Sequence, residues 1–310
     1  MRPPSLRAHH AISLLALIAS LSLALPAAGQ GGVRTGLKVY ISADMEGVAG
    51  AVTGDQLGPS GFEYGRFRDY MTREVLAAIE AAREMGATEI VVSDSHGNGE
   101  NLLLDLLPED IQLVRSWPRP LMMMEGIDES FDAALLVGYH ASTGNTAGVR
   151  AHTMSSANLT GLKVNGVEMP EAGISALIAG HFGVPVVMIS GDDAIATEAT
   201  ALLGDLEVAV VKWSYGFHSA RTLMPGPAQR VIAERTRAAL ARLEEFQPYV
   251  MPNPLALDIS FKNYMPAELL AYLPNVERVD SHSVRFEARD AVELSRFIEF
   301  VLSYGAGITP

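Results

Sequence analysis

Cysteine is absent from the 310 residues of this chain, which excludes disulfide scaffolds, zinc fingers, iron–sulfur clusters and a cysteine nucleophile. Positive charge is scarce: 23 lysines and arginines stand against 36 aspartates and glutamates, and the formal net charge is −13. Nucleic-acid-binding proteins normally carry a basic surface, so no nucleic-acid partner is predicted. Apolar residues make up 48% and charged residues 19%, which are proportions typical of a globular protein.

The first 29 residues have the three-part pattern of a secretory signal peptide. Arg2 and Arg7 form a basic start, residues 11–25 are apolar, and small residues around Ala28 offer a cleavage site. This apolar run is shorter than the roughly 20 residues of a membrane span, and no later segment is apolar enough to be one. We therefore expect cleavage and export to the periplasm or the medium, with no membrane attachment afterwards; an uncleaved N-terminal anchor is the alternative.

After this leader, apolar strand-like runs alternate with helical patterns. Strands are predicted at 37–43, 88–93, 131–138 and 184–189, a long amphipathic helix at 62–85, and a hairpin around Asn165-Gly166. Such alternation predicts an α/β fold with a mostly parallel sheet and helices on both faces. Less regular alternation at the end predicts a smaller C-terminal α/β part. The predicted division is a signal peptide at 1–29, an N-terminal α/β metal-binding domain at 30–205 and a C-terminal domain at 206–310.

Residue types that bind metals follow three of the predicted strands. Asp44 and Glu46 follow the first, His96 follows the second, and His140 follows the third. Because ligands of an open parallel sheet bind at the carboxyl ends of its strands, these side chains are expected in one crevice. Two carboxylates and two imidazoles suit Zn²⁺ or another divalent first-row ion.

Further polar residues extend this set. His152 lies in a loop-rich stretch, and Glu171 begins a predicted helix; both are additional candidates for the site. Asp94 is either a partner that orients a ligand histidine or a residue that stabilises a turn. Asp192 and Asp193 are predicted to cap a helix.

Taken in chain order, these motifs resemble the D-aminopeptidases of the DppA type, metallopeptidase family M55. The most specific segment is Ser42-Ala43-Asp44-Met45-Glu46-Gly47. The matching segments are 39–47, 92–96, 138–140, 151–154, 164–166, 171–173, 190–193 and 261–264. The resemblance covers nearly the whole chain after the leader.

This resemblance implies a metallo-aminopeptidase that hydrolyses short peptides, D-amino-acid N-termini included, and that assembles into a homo-oligomer. It implies two zinc ions per subunit, with Asp44 as the bridge between them. The implied ligands are Asp44, Glu46, His96, His140 and Glu171. It also implies that His152 is the catalytic residue.

Two other functions fit the residues without the resemblance. One is an exported solute-binding protein without catalytic activity, for which export and an α/β fold are both suitable. The other is a phosphoesterase with two metal ions, because carboxylates and histidines at strand ends also serve that chemistry. The number of ligands discriminates, since a protein that only captures metal would close its coordination shell.

Overall fold

The computed structural model describes Met1 and residues 35–305. The predicted signal peptide, apart from Met1, lies outside the described residues. From Thr35 onward, the described residues belong to one compact unit. Within this part of the chain, none of the helices has the length and apolar character needed to cross a bilayer.

The secondary structure of the described residues is mixed. The strands are β1 (Leu37–Ala43), β2 (Ala87–Asp94), β3 (Gln112–Val114), β4 (Ala133–Tyr139), β5 (Leu159–Val164), β6 (Val167–Glu168), β7 (Val186–Asp192), β8 (Glu207–Gly216), β9 (Ser219–Thr222), β10 (Leu255–Phe261), β11 (Val276–Arg278) and β12 (Ser283–Ala288). The helices are α1 (Gly54–Leu57), α2 (Tyr64–Glu84), α3 (Glu171–His181), α4 (Asp193–Leu203), α5 (Pro225–Ala241), α6 (Tyr264–Leu270) and α7 (Ala291–Ser303).

The larger sheet has seven strands in the order β3-β2-β1-β4-β7-β8-β9. All neighbours are parallel except β8 and β9, which are antiparallel. β1 is an inner strand next to the central β4, and its Ile41 pairs with Val92 on one side and Leu135 on the other. β4 is buried at every position, as its continuous apolar sequence predicts. The order reverses direction at β1, and ligands of such sheets bind at this kind of switch point.

Helices flank this sheet in two packed groups: α2 packs against α5, and α3 packs against α4 and α7. Ten of the eleven residues of α3 are buried, so its sequence is apolar on all sides rather than on one stripe. The predicted α/β class with a mainly parallel sheet and flanking helices is confirmed. The long helix predicted at 62–85 is α2, and the predicted strand at 37–43 is β1.

The smaller sheet is antiparallel, with strand order β11-β12-β10-β5-β6. The hairpin predicted around Asn165-Gly166 joins β5 to β6, and both turn residues have positive φ. Strands from both sides of residue 205 are present in each sheet, because β5 pairs with β10 and β7 pairs with β8. The division at 205 stays a prediction about independent folding.

Candidate metal centre

Three neighbouring strands bring the predicted residues to one edge of the larger sheet. Asp44 directly follows β1, His96 comes two residues after β2, and His140 directly follows β4. The backbone N–H of Ser95 donates to the carbonyl of Ala43 at 2.8 Å, which holds the segment before His96 against the end of β1. The sheet thus places these groups side by side, as the sequence predicts.

Two glycines allow the loop after β1 to approach the end of β4 unusually closely. A Cβ at Gly47 would lie 2.1 Å from the carbonyl oxygen of Tyr139, and one at Gly138 would lie 2.1 Å from that of Asp44. Without side chains, the two backbones form hydrogen bonds: the amide of Asp44 donates to Val137 at 2.8 Å, and that of Gly47 donates to Gly138 at 2.7 Å. This contact fixes Asp44 next to the residue that follows β4, His140.

Six side chains form two groups of three, and within each group the donor atoms lie within 4.8 Å of one another. The groups are Asp44, Glu46, His96 and His140, His152, Glu171. His96 Nδ1 lies 2.7 Å from Glu46 Oε2 and 3.1 Å from Asp44 Oδ1. His140 Nε2 lies 3.4 Å from both Asp44 Oδ2 and Glu171 Oε2 and therefore joins the groups. All six residues identified in the sequence converge.

Backbone carbonyls orient the three imidazoles. His96 Nε2 donates to Leu57 O at 2.6 Å, His140 Nδ1 to Ala141 O at 3.0 Å, and His152 Nδ1 to Arg150 O at 2.8 Å. In each ring the other nitrogen faces a carboxylate. In a neutral ring this nitrogen holds a lone pair, so it needs either a proton or a metal ion in front of it. Ligand histidines in metal sites are commonly oriented in this way.

The site contains buried polar atoms that nothing in the described chain satisfies. Asp44 Oδ2, Glu46 Oε2 and His140 Nε2 have no hydrogen-bond partner, although other polar atoms of the cluster lie close to them. Asp44, Glu46 and Glu171 are at most 5% exposed, so three carboxylates are buried together. Because unpaired buried carboxylates are costly, this donor set fits divalent cations.

The pKa values of the cluster also reflect the three carboxylates that are buried close together. Burial and the neighbouring Glu46 raise the pKa of Asp44 to about 7. Burial opposes protonation of His140, but the carboxylates of Glu171 and Asp44 raise its pKa to about 10. Negative charge is thus concentrated in this cluster, and a bound cation would reduce the repulsion between the carboxylates.

His152 differs from the other two histidines. Its ring stacks on that of His140, with centroids 4.1 Å apart and an interplanar angle of 8°. Its side chain is 13% exposed against 1% for His140, and its Nε2 lies 3.7 Å from Glu171 Oε1. Burial and His140 lower the pKa of His152. The lowered pKa favours the neutral form of this ring.

A cavity of about 300 Å³ opens above this cluster. Five residues of the cluster line this cavity, and we call the part of the lining that they form the floor: Asp44, Glu46, His96, His152 and Glu171. The remaining lining residues include apolar side chains of the segment before β4, of the loop around His152 and of α7: Trp117, Met122, Met123, Met154 and Leu302. The polar Glu299 and Ser303 of α7 also line the cavity.

Comparison with known proteins gives consistent matches. The family model of the M55 peptidases, described as D-aminopeptidase, matches residues 37–300. The chain belongs to the M55 peptidase family. A D-aminopeptidase of Bacillus subtilis is 34% identical to this M55 chain over 261 residues, which are 83% of this chain and 93% of that protein.

A solved structure agrees with the family assignment. It is described as the Zn-dependent D-aminopeptidase DppA from Bacillus subtilis, a self-compartmentalizing protease. The TM-score is 0.82 at 31% identity, and the match covers 88% of the M55 chain and 100% of the solved one. The peptidase prediction is thereby confirmed at the level of the family. These matches support neither the solute-binding protein nor the phosphoesterase.

Two buried charged residues that sequence reasoning missed hold the loop after β1. The Lys212 ammonium on β8 donates to the carbonyls of Glu46, Val48 (3.1 Å) and Ala51 (2.7 Å). Glu74 on α2 accepts from the amide of Ala49 at 3.0 Å. A lysine within the apolar strand sequence of β8 was the available signal, because such a residue needs buried acceptors.

The remaining aspartates act within the scaffold. Asp94 accepts from the amides of Asn101 and Leu102 and from the Asn101 side chain, which also donates to His96 O at 2.6 Å. It therefore holds the turn that carries His96, and its carboxylate makes no hydrogen bond to the ring. Asp192 caps α4 by accepting from Ile195 N at 2.8 Å, as predicted, whereas Asp193 accepts from Ser214 N at 2.9 Å.

Proposed function

We propose that this chain is a zinc-dependent aminopeptidase that removes the N-terminal residue of short peptides, including those that begin with a D-amino acid. The observation that carries the proposal is that His140 and Asp44 join two groups of three side chains, all of types that can bind metal, at the floor of one cavity. Membership of the M55 family supplies the reaction class, and the matched protein described as Zn-dependent supports the choice of metal.

In this proposal two zinc ions bind per subunit. Asp44, Glu46 and His96 would hold one ion, and His140 and Glu171, with Asp44 as the bridge, would hold the other. Bound zinc would polarise the scissile carbonyl and lower the pKa of a water molecule. Five ligands for two ions leave coordination positions for substrate, as a catalytic site requires.

The chain's own contribution to the reaction is proton transfer by His152. Its Nδ1 proton is committed to Arg150 O, so Nε2 is the nitrogen that accepts a proton on the cavity side. Hydrolysis of an amide moves one proton from water to the leaving nitrogen. His152 would take up that proton at Nε2 and deliver it to the departing amine. Its lowered pKa suits this role, because the ring is neutral before the step.

The test is metal analysis combined with turnover. Purified protein should contain zinc, lose activity towards alanyl peptides on chelation and regain it when zinc is added. His140→Ala should lose both zinc and turnover, whereas the exposed His282→Ala, as the matched control, should keep both. Full turnover by protein that elemental analysis shows to be metal-free would contradict the proposal. Hydrolysis of a phosphoester in place of both D- and L-alanyl peptides would also contradict it.

Assembly and export form a second part of the proposal. The matched solved protein is described as self-compartmentalizing, and we propose that this chain also forms a homo-oligomer with its cavities facing a shared interior. Exposed apolar side chains on and after α6, at Tyr264, Met265, Leu269 and Tyr272, support such an interface. We further propose export through the signal peptide. Light scattering at micromolar concentration that shows only monomers would contradict the assembly.

A further inference from the structure

The lining of the cavity includes a carboxylate that the proposed reaction does not use. Glu299 on α7 lines the cavity and is only 8% exposed. Its Oε1 accepts a hydrogen bond from the Ser303 hydroxyl at 2.6 Å, and Ser303 lines the same cavity. Ser303 itself is exposed, so the pair connects the buried lining of the cavity to solvent.

No cation of the protein neutralises this carboxylate by direct contact. Among residues 35–305, no lysine, arginine or histidine nitrogen lies within 4.0 Å of Glu299. Arg119 interacts with it electrostatically from a greater distance. The Arg119 guanidinium is already engaged, because it donates to Ser93 Oγ at 2.8 Å and to Asp94 O at 2.7 Å and lies over the Trp117 ring. Glu299 is thus available to a ligand.

The same cavity also has an apolar part of its lining, formed by Trp117, Met122, Met154 and Leu302. A cavity that combines apolar side chains with a carboxylate outside the cluster fits a side chain with an aliphatic stem and a cationic end, since such side chains lay their methylene groups on apolar surface and keep the charge with a polar partner. Methionine side chains are flexible, so the methionines in this lining can adapt to substrate side chains of different shape.

The α-amino group of the substrate is not the cation that this geometry fits. It is separated from the scissile carbonyl carbon by two bonds, or about 2.5 Å, so it must lie near the floor during the reaction. Asp44 and Glu46 belong to the cluster at the floor, whereas Glu299 belongs to neither group of the cluster and is hydrogen-bonded to the exposed Ser303. A side chain of the N-terminal residue can occupy the part of the same cavity that Glu299 lines.

We propose that Glu299 makes this enzyme selective for peptides whose N-terminal residue has a long side chain ending in a cation, such as lysine. The inference rests on the proposed aminopeptidase function and names its substrate class. Glu299 would be a specificity-determining residue: it binds the side-chain cation with the help of Ser303 and takes no part in the chemical step.

The test compares lysyl- and norleucyl-p-nitroanilide, each as the D- and the L-form, on the zinc-loaded protein. The two side chains share a four-carbon stem and differ in the terminal ammonium. A charge-assisted contact predicts kcat/KM roughly tenfold to a hundredfold higher for the lysyl substrate. Glu299→Gln should abolish this preference by lowering kcat/KM for the lysyl substrate to about the norleucyl value, and turnover of the norleucyl substrate reports that the variant is folded. Glu109→Gln, which removes an exposed carboxylate elsewhere, should keep the preference.

The outcomes test the proposed selectivity and the proposed aminopeptidase activity separately. Equal kcat/KM for both substrates, or a lysyl preference that survives in Glu299→Gln, overturns the inference and leaves the aminopeptidase standing. A lysyl preference found only at the second position of dipeptides overturns the assignment to the N-terminal residue. No turnover of any of the four substrates overturns the proposed function and the inference with it.

Discussion

The contact between Gly138 and the loop after β1 gives the sharpest test of how this site is held. Replacing Gly138 by alanine would place a Cβ 2.1 Å from the carbonyl oxygen of Asp44. Because contacts of this kind need about 3.0 Å, the two backbones must separate by about 1 Å. The backbone at Gly138 also has φ +77°, which is unfavourable for alanine.

The loss of unfolding free energy in Gly138→Ala has two contributions, the backbone conformation and the forced separation of the two segments. The left-handed backbone costs alanine about 1–2 kcal/mol, and forced displacement in a packed region costs about 1–3 kcal/mol more, so unfolding free energy should fall by about 2–5 kcal/mol. Moving Asp44 by about 1 Å would also disturb its 3.4 Å approach to His140, and a displacement of that size can lower turnover by about 10²-fold.

A matched control isolates the close approach from the backbone strain. Gly183 has φ +76°, but nothing lies within 4 Å of a Cβ built there. Gly183→Ala should therefore lose only the conformational part, about 1–2 kcal/mol, and keep its zinc and turnover. Urea unfolding, zinc content per chain and turnover measure the difference. If Gly138→Ala matches Gly183→Ala in all three, the argument from close approach is wrong.

Three further predictions concern other parts of the molecule. His152→Ala should lower kcat by about 10²–10⁴ and leave zinc content unchanged, because the ring moves a proton rather than holding metal; loss of zinc would instead make His152 a ligand. Burial raises the pKa of Glu74 to about 7, so the folded protein holds a proton that the unfolded chain releases between about pH 4.5 and 7, and this contribution to stability is lost as the pH rises through that window. Relative to wild type, Glu74→Gln should gain up to about 3 kcal/mol between pH 4.5 and 8 in urea unfolding, and an unchanged difference would refute this. Leu269→Lys should weaken the proposed assembly in light scattering, because it places a charge on the exposed apolar side of α6; an unaltered molar mass would show that this side is not the interface.

The sequence predicted the site well where residues of metal-binding types follow the end of a predicted strand. Asp44, His96 and His140 each follow an apolar run, and parallel strands bring their carboxyl ends to one edge, so periodicity alone was sufficient to place them together. The hairpin at Asn165-Gly166 was predictable because those two residues favour its turn. His152 and Glu171 were only additional candidates from the residues themselves, and the family resemblance was needed to assign a role to each of them.

The sequence was much less informative about the parts of the site that depend on packing between distant segments. Glu299 looks like one more charged residue on an amphipathic helix, and only the packing of α7 over the cavity shows that it is buried. Lys212 lies 166 positions after Glu46, whose carbonyl it binds. The composition of the smaller sheet was missed for the same reason: the pairing of β5 with β10 connects segments about 100 residues apart, and no periodicity encodes it.

Each of the two sheets contains strands from before and from after residue 205. This has a consequence for how the protein gains its metal site during synthesis. All six residues of the site lie before position 205, so the ribosome releases them first. The ammonium that binds three carbonyls of the loop after β1 comes later, from β8, and the wall that bears Glu299 comes last, from α7. A nascent chain that ends at 205 carries the ligands without the groups that organise and cover them. Loading with zinc is thus expected to be a late event, completed only after the C-terminal third has folded into both sheets.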